Sequence, residues 1–117
     1  MIDLLDNPLF KIPFFGGLFF ILPGFILFYF PPKKINSLYG YRTISSMKSQ
    51  KRWDFAQRFS AREMMKSGGL LTVCSLLVFI TDFNNSINLI IGLSLIILIV
   101  ISLFVRVESA IKAKFRN

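Results

Sequence analysis

Residues 87–105, INLIIGLSLIILIVISLFV, hold no charge, and a helix of that length rises through roughly 30 Å, the hydrocarbon thickness of a bilayer. Asn84, Asn85 and Ser86 bound the run on one side and Arg106 on the other. Residues 12–30 form a second uncharged run, with Pro23-Gly24 in its middle and Pro31-Pro32 closing it. That pattern predicts a kinked helix ending at Tyr29 or Phe30. A third run, residues 67–81, is too short alone. Extended back through Met64 and Met65 it reaches length, because Lys66 can carry its ammonium to the headgroups while its stem stays in the apolar zone. The expected fold is all-α: an integral membrane protein of three transmembrane helices, over residues 12–30, 64–81 and 87–105, forming one membrane domain.

Composition agrees. Hydrophobic residues make up 54% of the 117, charged residues 17%, and the mean hydropathy is +0.62, too little polar surface for a water-facing sphere. The net charge of +8 and pI near 10.1 would suit nucleic-acid binding if they formed a basic face on a soluble fold. Instead the charges lie between and after the apolar runs, which fits orientation and contact with anionic headgroups, without direct nucleic-acid binding. Lys11 alone precedes the first run. Lys33, Lys34, Arg42, Lys48, Lys51, Arg52, Arg58, Arg62 and Lys66 follow it, the 82–86 turn has none, and Arg106, Lys112, Lys114 and Arg116 end the chain. By the positive-inside rule the N-terminus lies outside, and the 31–63 loop and 106–117 tail are cytoplasmic. Asp3 and Asp6 before the first run oppose a signal peptide, whose leading segment is basic.

The chain has no histidine, and its one cysteine, Cys74, lies in an apolar run. No zinc cluster, metal site or cofactor is expected, nor a Cys-His nucleophile. With no nucleophile-base pair or paired carboxylates on one side, no enzyme is expected. No charge lies deep in a span, so a polar transport path would need several copies. Asp82 reads as a boundary carboxylate, and Gly68, Gly69, Ser75, Gly92, Ser94 and Ser102 as small residues that let the second and third spans approach. The first span is rich in phenylalanine, which suits lipid, bundle packing or a hydrophobic peptide arriving from outside.

The loop carries the most information. Its first part, PPKKINSLYGYRT, is rich in turn formers, and ISSMKSQKRWDFAQRFSAREMMK has neither Gly nor Pro. A helix is expected to start near 43–46 on a hydroxyl cap. Projected at 100° per residue, Trp53, Ala61 and Met64 share one side while Phe55, Ala56 and Phe59 share another. Two partial apolar faces predict a helix at the cytoplasmic headgroups, touching its own bundle.

Gly40 would permit a positive φ or a close backbone approach, Asn36 can cap a turn, and Arg42 offers a five-donor fork for backbone carbonyls or a phosphate. Trp53 is suited to anchoring at the interface. Two readings stand: the residues fix the loop to helix ends, or they form a basic pocket for a lipid phosphate, an anionic ligand or an acidic partner.

Asn36, Gly40-Tyr41-Arg42-Thr43, Ser46, Lys48-Ser49 and Trp53, in a basic loop between two spans, resemble the motif of the SdpI family of bacterial membrane proteins. The resemblance covers about residues 31–81. Its founding member confers immunity against a secreted antimicrobial peptide made by the same cells and relays the toxin's presence to a repressor. That member is longer, with extra spans, so the resemblance bears on the unit around the motif. It implies an inner-membrane immunity or toxin-response protein that binds a hydrophobic peptide or shields its target. The alternative is a small scaffolding subunit in a larger membrane complex or homo-oligomer.

Overall fold

A computed structural model describes residues 2–115, with side chains from residue 4. The Asp3 side chain, Arg116 and Asn117 lie outside the described part. Among the described residues all regular structure is helical. A short helix α1 (Ile2–Asp6) leads into α2 (Pro8–Tyr29). Asn7 starts α2, its Oδ1 accepting from the Leu9 amide at 2.9 Å, and Pro8 occupies the first turn, where its missing N–H costs nothing. Pro31 and Pro32 follow the last turn. α2 is therefore longer than residues 12–30 at its start and ends at Tyr29 as expected.

The loop runs to Ser49, which caps α3 (Gln50–Cys74): its Oγ accepts from the Arg52 amide at 3.2 Å. The expected start at 43–46 is corrected. Thr43 and Ser46 do exchange hydroxyl–amide bonds at 2.9 and 3.1 Å, but they close a single turn that the chain then leaves. The loop helix and the second apolar run are one element. Residues 50–63 continue without a break into the apolar half of α3, because no Gly or Pro interrupts residues 50–67 and both partial apolar faces find protein neighbours. At Ser75 the helix tightens into the 3₁₀ turn α4 (Ser75–Phe79), where Thr72 and Ser75 turn their hydroxyls back on the Gly68 and Thr72 carbonyls.

The last helix, α5 (Asn85–Phe115), starts on Asn84, whose Oδ1 accepts from the Ile87 amide at 2.9 Å. It runs well past residue 105, with Lys112 and Lys114 in its final turn, where cations oppose the helix dipole. Two helices, α2 and α5, are long and apolar enough to cross a membrane.

The three long helices pack as a bundle 49 Å in its longest dimension, with α3 lying chiefly on α2. Glycine sets that crossing. A Cβ on Gly17 would stand 2.5 Å from the Gly68 carbonyl, and one on Gly68 would stand 2.5 Å from the Gly17 carbonyl. The backbones thus approach as only glycine permits. Seven residues along each helix, Gly24 meets the Ala61 carbonyl. Four of the six small residues assigned to a tight approach of residues 64–81 on 87–105 act elsewhere. Gly68 and Gly92 both face α2, Gly69 faces open space, and Ser94 is exposed.

Candidate functional site: the motif loop and its cleft

The loop folds over the end of the bundle formed by the last turns of α2, the start of α3 and the end of α5. Trp53 lies one turn into α3. It is fully buried, and its indole N–H donates to the Pro32 carbonyl at 2.8 Å, tying α3 to the end of α2. The expected headgroup anchor is therefore a core residue, because Pro32 brings an unpaired carbonyl to its ring nitrogen. Four residues on, Gln57 is buried on the same face. Its amide grips Tyr41 twice: Nε2 donates to the Tyr41 carbonyl at 2.8 Å, and Oε1 accepts from the Tyr41 amide at 2.7 Å. The side chain thus acts as one rung of a β-ladder for a loop that has no strand partner.

Gly40 makes that grip possible. Its φ is +111°, and a Cβ there would stand 2.6 Å from Gln57 Oε1 and 2.7 Å from Pro32 Cγ. Both expectations for this position, positive φ and close approach, are met together. Asn36 caps the preceding turn, its Oδ1 accepting from the Leu38 and Tyr39 amides at 2.9 and 2.8 Å while its Nδ2 donates to the Lys34 carbonyl. Tyr39 donates its hydroxyl to the Phe30 carbonyl at 2.6 Å, satisfying the end of α2.

Beyond Gly40 the loop is tied to α5. The Tyr41 and Thr43 hydroxyls both donate to Glu108 Oε2, at 2.7 and 2.9 Å. Burial, and then the hydrogen bond that the phenol donates to the negatively charged Glu108, push the Tyr41 pKa well above its ordinary value. Ser46 is fully buried, its hydroxyl donating to the Tyr41 carbonyl at 3.1 Å. The structure therefore gathers Gly40, Tyr41, Thr43, Ser46 and Trp53 around Gln57 and Glu108, with Asn36 and Ser49 as flanking caps. Lys48 and Arg42 stay exposed. Arg42 donates through Nη1 to the Ser37 carbonyl.

Gln57 and Glu108 were missed by sequence reasoning. The signal was present: Gln57 follows Trp53 by one helical turn, and Glu108 is the only acidic residue after Asp82. Two further charges are buried in the same region. Glu63 pairs with Arg106 at 3.2 Å and Lys66 at 3.4 Å, which joins α3 to α5. Arg52 reaches the Ser45 carbonyl and hydroxyl at 3.5 and 3.3 Å and lies 5.5 Å from the Phe115 ring.

Two concave surfaces flank this assembly. A groove of about 350 Å³ between α3 and the end of α5 is lined by three phenylalanines, Phe55, Phe59 and Phe115, together with Lys51, Asp54, Arg58, Arg62 and Lys114. A cleft of about 410 Å³ opens between α2 and α5, walled by Phe20, Pro23, Leu27, Met64, Leu103 and Phe104, with motif residues 39–42 across its end. Among the described residues no group of His, Cys, Asp and Glu is placed to hold a metal.

Known proteins resolve what these residues belong to. Uncharacterized protein YfhL of Bacillus subtilis (strain 168) is 46% identical over 63 residues, which make up 54% of this chain and 57% of that protein. The match thus spans little more than half of the relative. No solved structure matches the chain. The model of the SdpI/YfhL protein family matches residues 33–105, from the loop's first lysine to the end of the last apolar run, and the chain belongs to that family.

Proposed function

We propose that this chain is a three-span bacterial inner-membrane protein that protects the cell against a secreted, hydrophobic antimicrobial peptide by stoichiometric binding within the bilayer. α2, the apolar half of α3 with its 3₁₀ extension, and α5 are the spans. The N-terminus is outside, and the motif loop and the end of α5 are cytoplasmic. In this reading the first half of α3 stands out from the membrane on the cytoplasmic side. The bundle's 49 Å length, set against a hydrocarbon core of roughly 30 Å, leaves room for that projection.

The observation that carries the peptide-binding part is the outer stripe of α2. Phe15, Phe19, Leu22, Ile26 and Tyr29 recur at helical spacing and are each at least half exposed. Neither α3 nor α5 covers them. Lipid contact asks only for apolar side chains, whereas a stripe carrying aromatic rings also offers a second helix broad, rigid surfaces. Family membership supports the same reading through the founding member's immunity role.

Stoichiometric protection has a distinct dose response. Expressed at graded levels in a sensitive host, the chain should raise the tolerated peptide concentration in proportion to its amount, and excess peptide should overcome it. Replacing Phe15 and Phe19 by leucine should lower the slope without lowering the amount inserted. Equal sensitivity at every level of correctly inserted protein would refute immunity. Co-purification with stoichiometric protein partners in mild detergent would then favour a scaffolding subunit.

A further inference from the structure

We infer that the cleft between α2 and α5 is a binding site for one anionic phospholipid of the cytoplasmic leaflet, with Arg42 holding its phosphate. The inference rests on the membrane orientation above, and it stands apart from immunity because it concerns a resident lipid.

The cleft combines two chemistries at the depth where a phospholipid changes from one to the other. Its walls are hydrocarbon and aromatic side chains of α2, α3 and α5. Phe104 lies two residues before Arg106, so the α5 wall ends about 3 Å from the residue that marks the edge of the apolar run. On α2 the wall runs from Phe20 to Leu27, about 10 Å of helix in which an acyl chain can lie. Motif residues then close the cleft at its polar end, and Arg42 is the only charged side chain lining it.

The neighbours of Arg42 are already satisfied, which directs a ligand to its guanidinium. Tyr39 gives its hydroxyl to the Phe30 carbonyl, and Tyr41 gives its hydroxyl to Glu108. Arg42 has five N–H donors, is exposed, and directs Nη1 at the Ser37 carbonyl. That bond fixes the side chain while the rest of the planar fork suits two phosphate oxygens. Charge complementarity selects an anion, and the apolar walls select one that carries a chain. The other groove differs. Its lining carries Asp54 as well as Lys51, Arg58, Arg62 and Lys114, so its charges are of both signs, and its apolar part is three rings with no aliphatic wall for an acyl chain.

The test titrates the detergent-purified full chain with phosphatidylglycerol and phosphatidylcholine of identical acyl chains, read by native mass spectrometry. Phosphatidylglycerol should bind about tenfold tighter or better, as a charge-assisted pair predicts. Arg42→Gln should remove the preference, Arg42→Lys should retain part of it, and Arg58→Gln should leave it intact. Phosphatidylglycerol with a photoreactive diazirine in its chain should label residues 20–27 and 103–104, a readout on the unmodified protein that holds even if an Arg42 variant fails to fold. Equal binding of the two lipids, an Arg58→Gln loss as large as that of Arg42→Gln, or labelling confined to other segments would overturn the site. Displacement of the lipid by millimolar inorganic phosphate would mean a free-phosphate site and would also overturn it.

Discussion

Substituting Gly40 by alanine isolates the close contact on which the loop depends. Alanine at φ +111° sits in backbone territory that costs an L-residue about 1–3 kcal/mol. The added Cβ would meet Gln57 Oε1 at 2.6 Å and Pro32 Cγ at 2.7 Å. Gln57 cannot swing aside without releasing both of its bonds to Tyr41, so relief of overlap adds about 1–3 kcal/mol. The total is about 2–6 kcal/mol, a fall in melting temperature of roughly 10 °C or more for a chain of this size. Thermal unfolding in detergent, followed by far-ultraviolet circular dichroism, measures it. A double-mutant cycle with Gln57→Ala then separates strain from overlap. Gln57→Ala alone orphans the Tyr41 amide, at about 1–3 kcal/mol, while the Tyr41 carbonyl keeps its bond from Ser46. In that background Gly40→Ala should cost less than in the parent, because the nearest overlapping atom is gone. Strictly additive costs, or a Gly40→Ala variant within about 0.5 kcal/mol of the parent, would refute the account.

Trp53→Phe keeps most of the buried ring but leaves the Pro32 carbonyl unpaired, so the same melt should fall by about 1–3 kcal/mol, with Trp53→Ala costing about 3–5. Arg42→Lys, at an exposed position, should change stability by less than about 0.5 kcal/mol, and a loss as large as that of Gly40→Ala would make Arg42 a structural tie. Tyr41 has a raised pKa when folded, so the unfolded chain loses its proton first. Its contribution is complete below about pH 10 and declines as pH rises above that, and Tyr41→Phe should flatten the alkaline limb of a melting-temperature profile. Reporter fusions after Asn117 should behave as cytoplasmic and fusions within residues 82–86 as extracytoplasmic, and the reverse result would remove the proposed orientation.

The helical fold and its longest helices were legible because apolar run length is a coarse signal that tertiary packing seldom overrides. Pro31 and Pro32 marked the end of α2 for a local reason that the structure repeats, whereas its start on Asn7 and Pro8 lies before the residue 12 that the apolar run suggested. What failed were statements needing to know which surfaces meet. Two weak apolar faces on residues 50–63 foretold contact with the bundle but not its extent, in which Trp53, Ala56, Gln57 and Ser60 are buried against protein. Gly68 was visible as a small residue, but its partner, Gly17, lies on a helix 51 positions earlier, and composition cannot pair them. The motif residues were identified, whereas the side chains that hold them, Gln57 and Glu108, were not. A polar residue's role here depends on the backbone group it meets, and that group is distant in sequence.

Of the motif's two readings, the structural tie describes most of its residues, and the anion site is what we propose for Arg42 alone. Gly40, Tyr41, Thr43, Ser46 and Trp53 turn toward the bundle and bind the loop to α2 through Pro32, to α3 through Gln57 and to α5 through Glu108. A loop fixed at three helix ends has little freedom left. That rigidity is what an exposed arginine needs in order to recognise anything, because a long side chain on a mobile loop would lose ordering entropy on every encounter. Arg42 stands between Tyr41 and Thr43, both hydrogen-bonded to one carboxylate oxygen, so its backbone is held on either side. Within Gly-Tyr-Arg-Thr, three residues set the position of the fourth. It follows that Thr43→Val, which removes one of the two hydroxyl bonds to Glu108 and changes no charge, should weaken lipid retention at Arg42, since what it loosens is the support beneath the guanidinium.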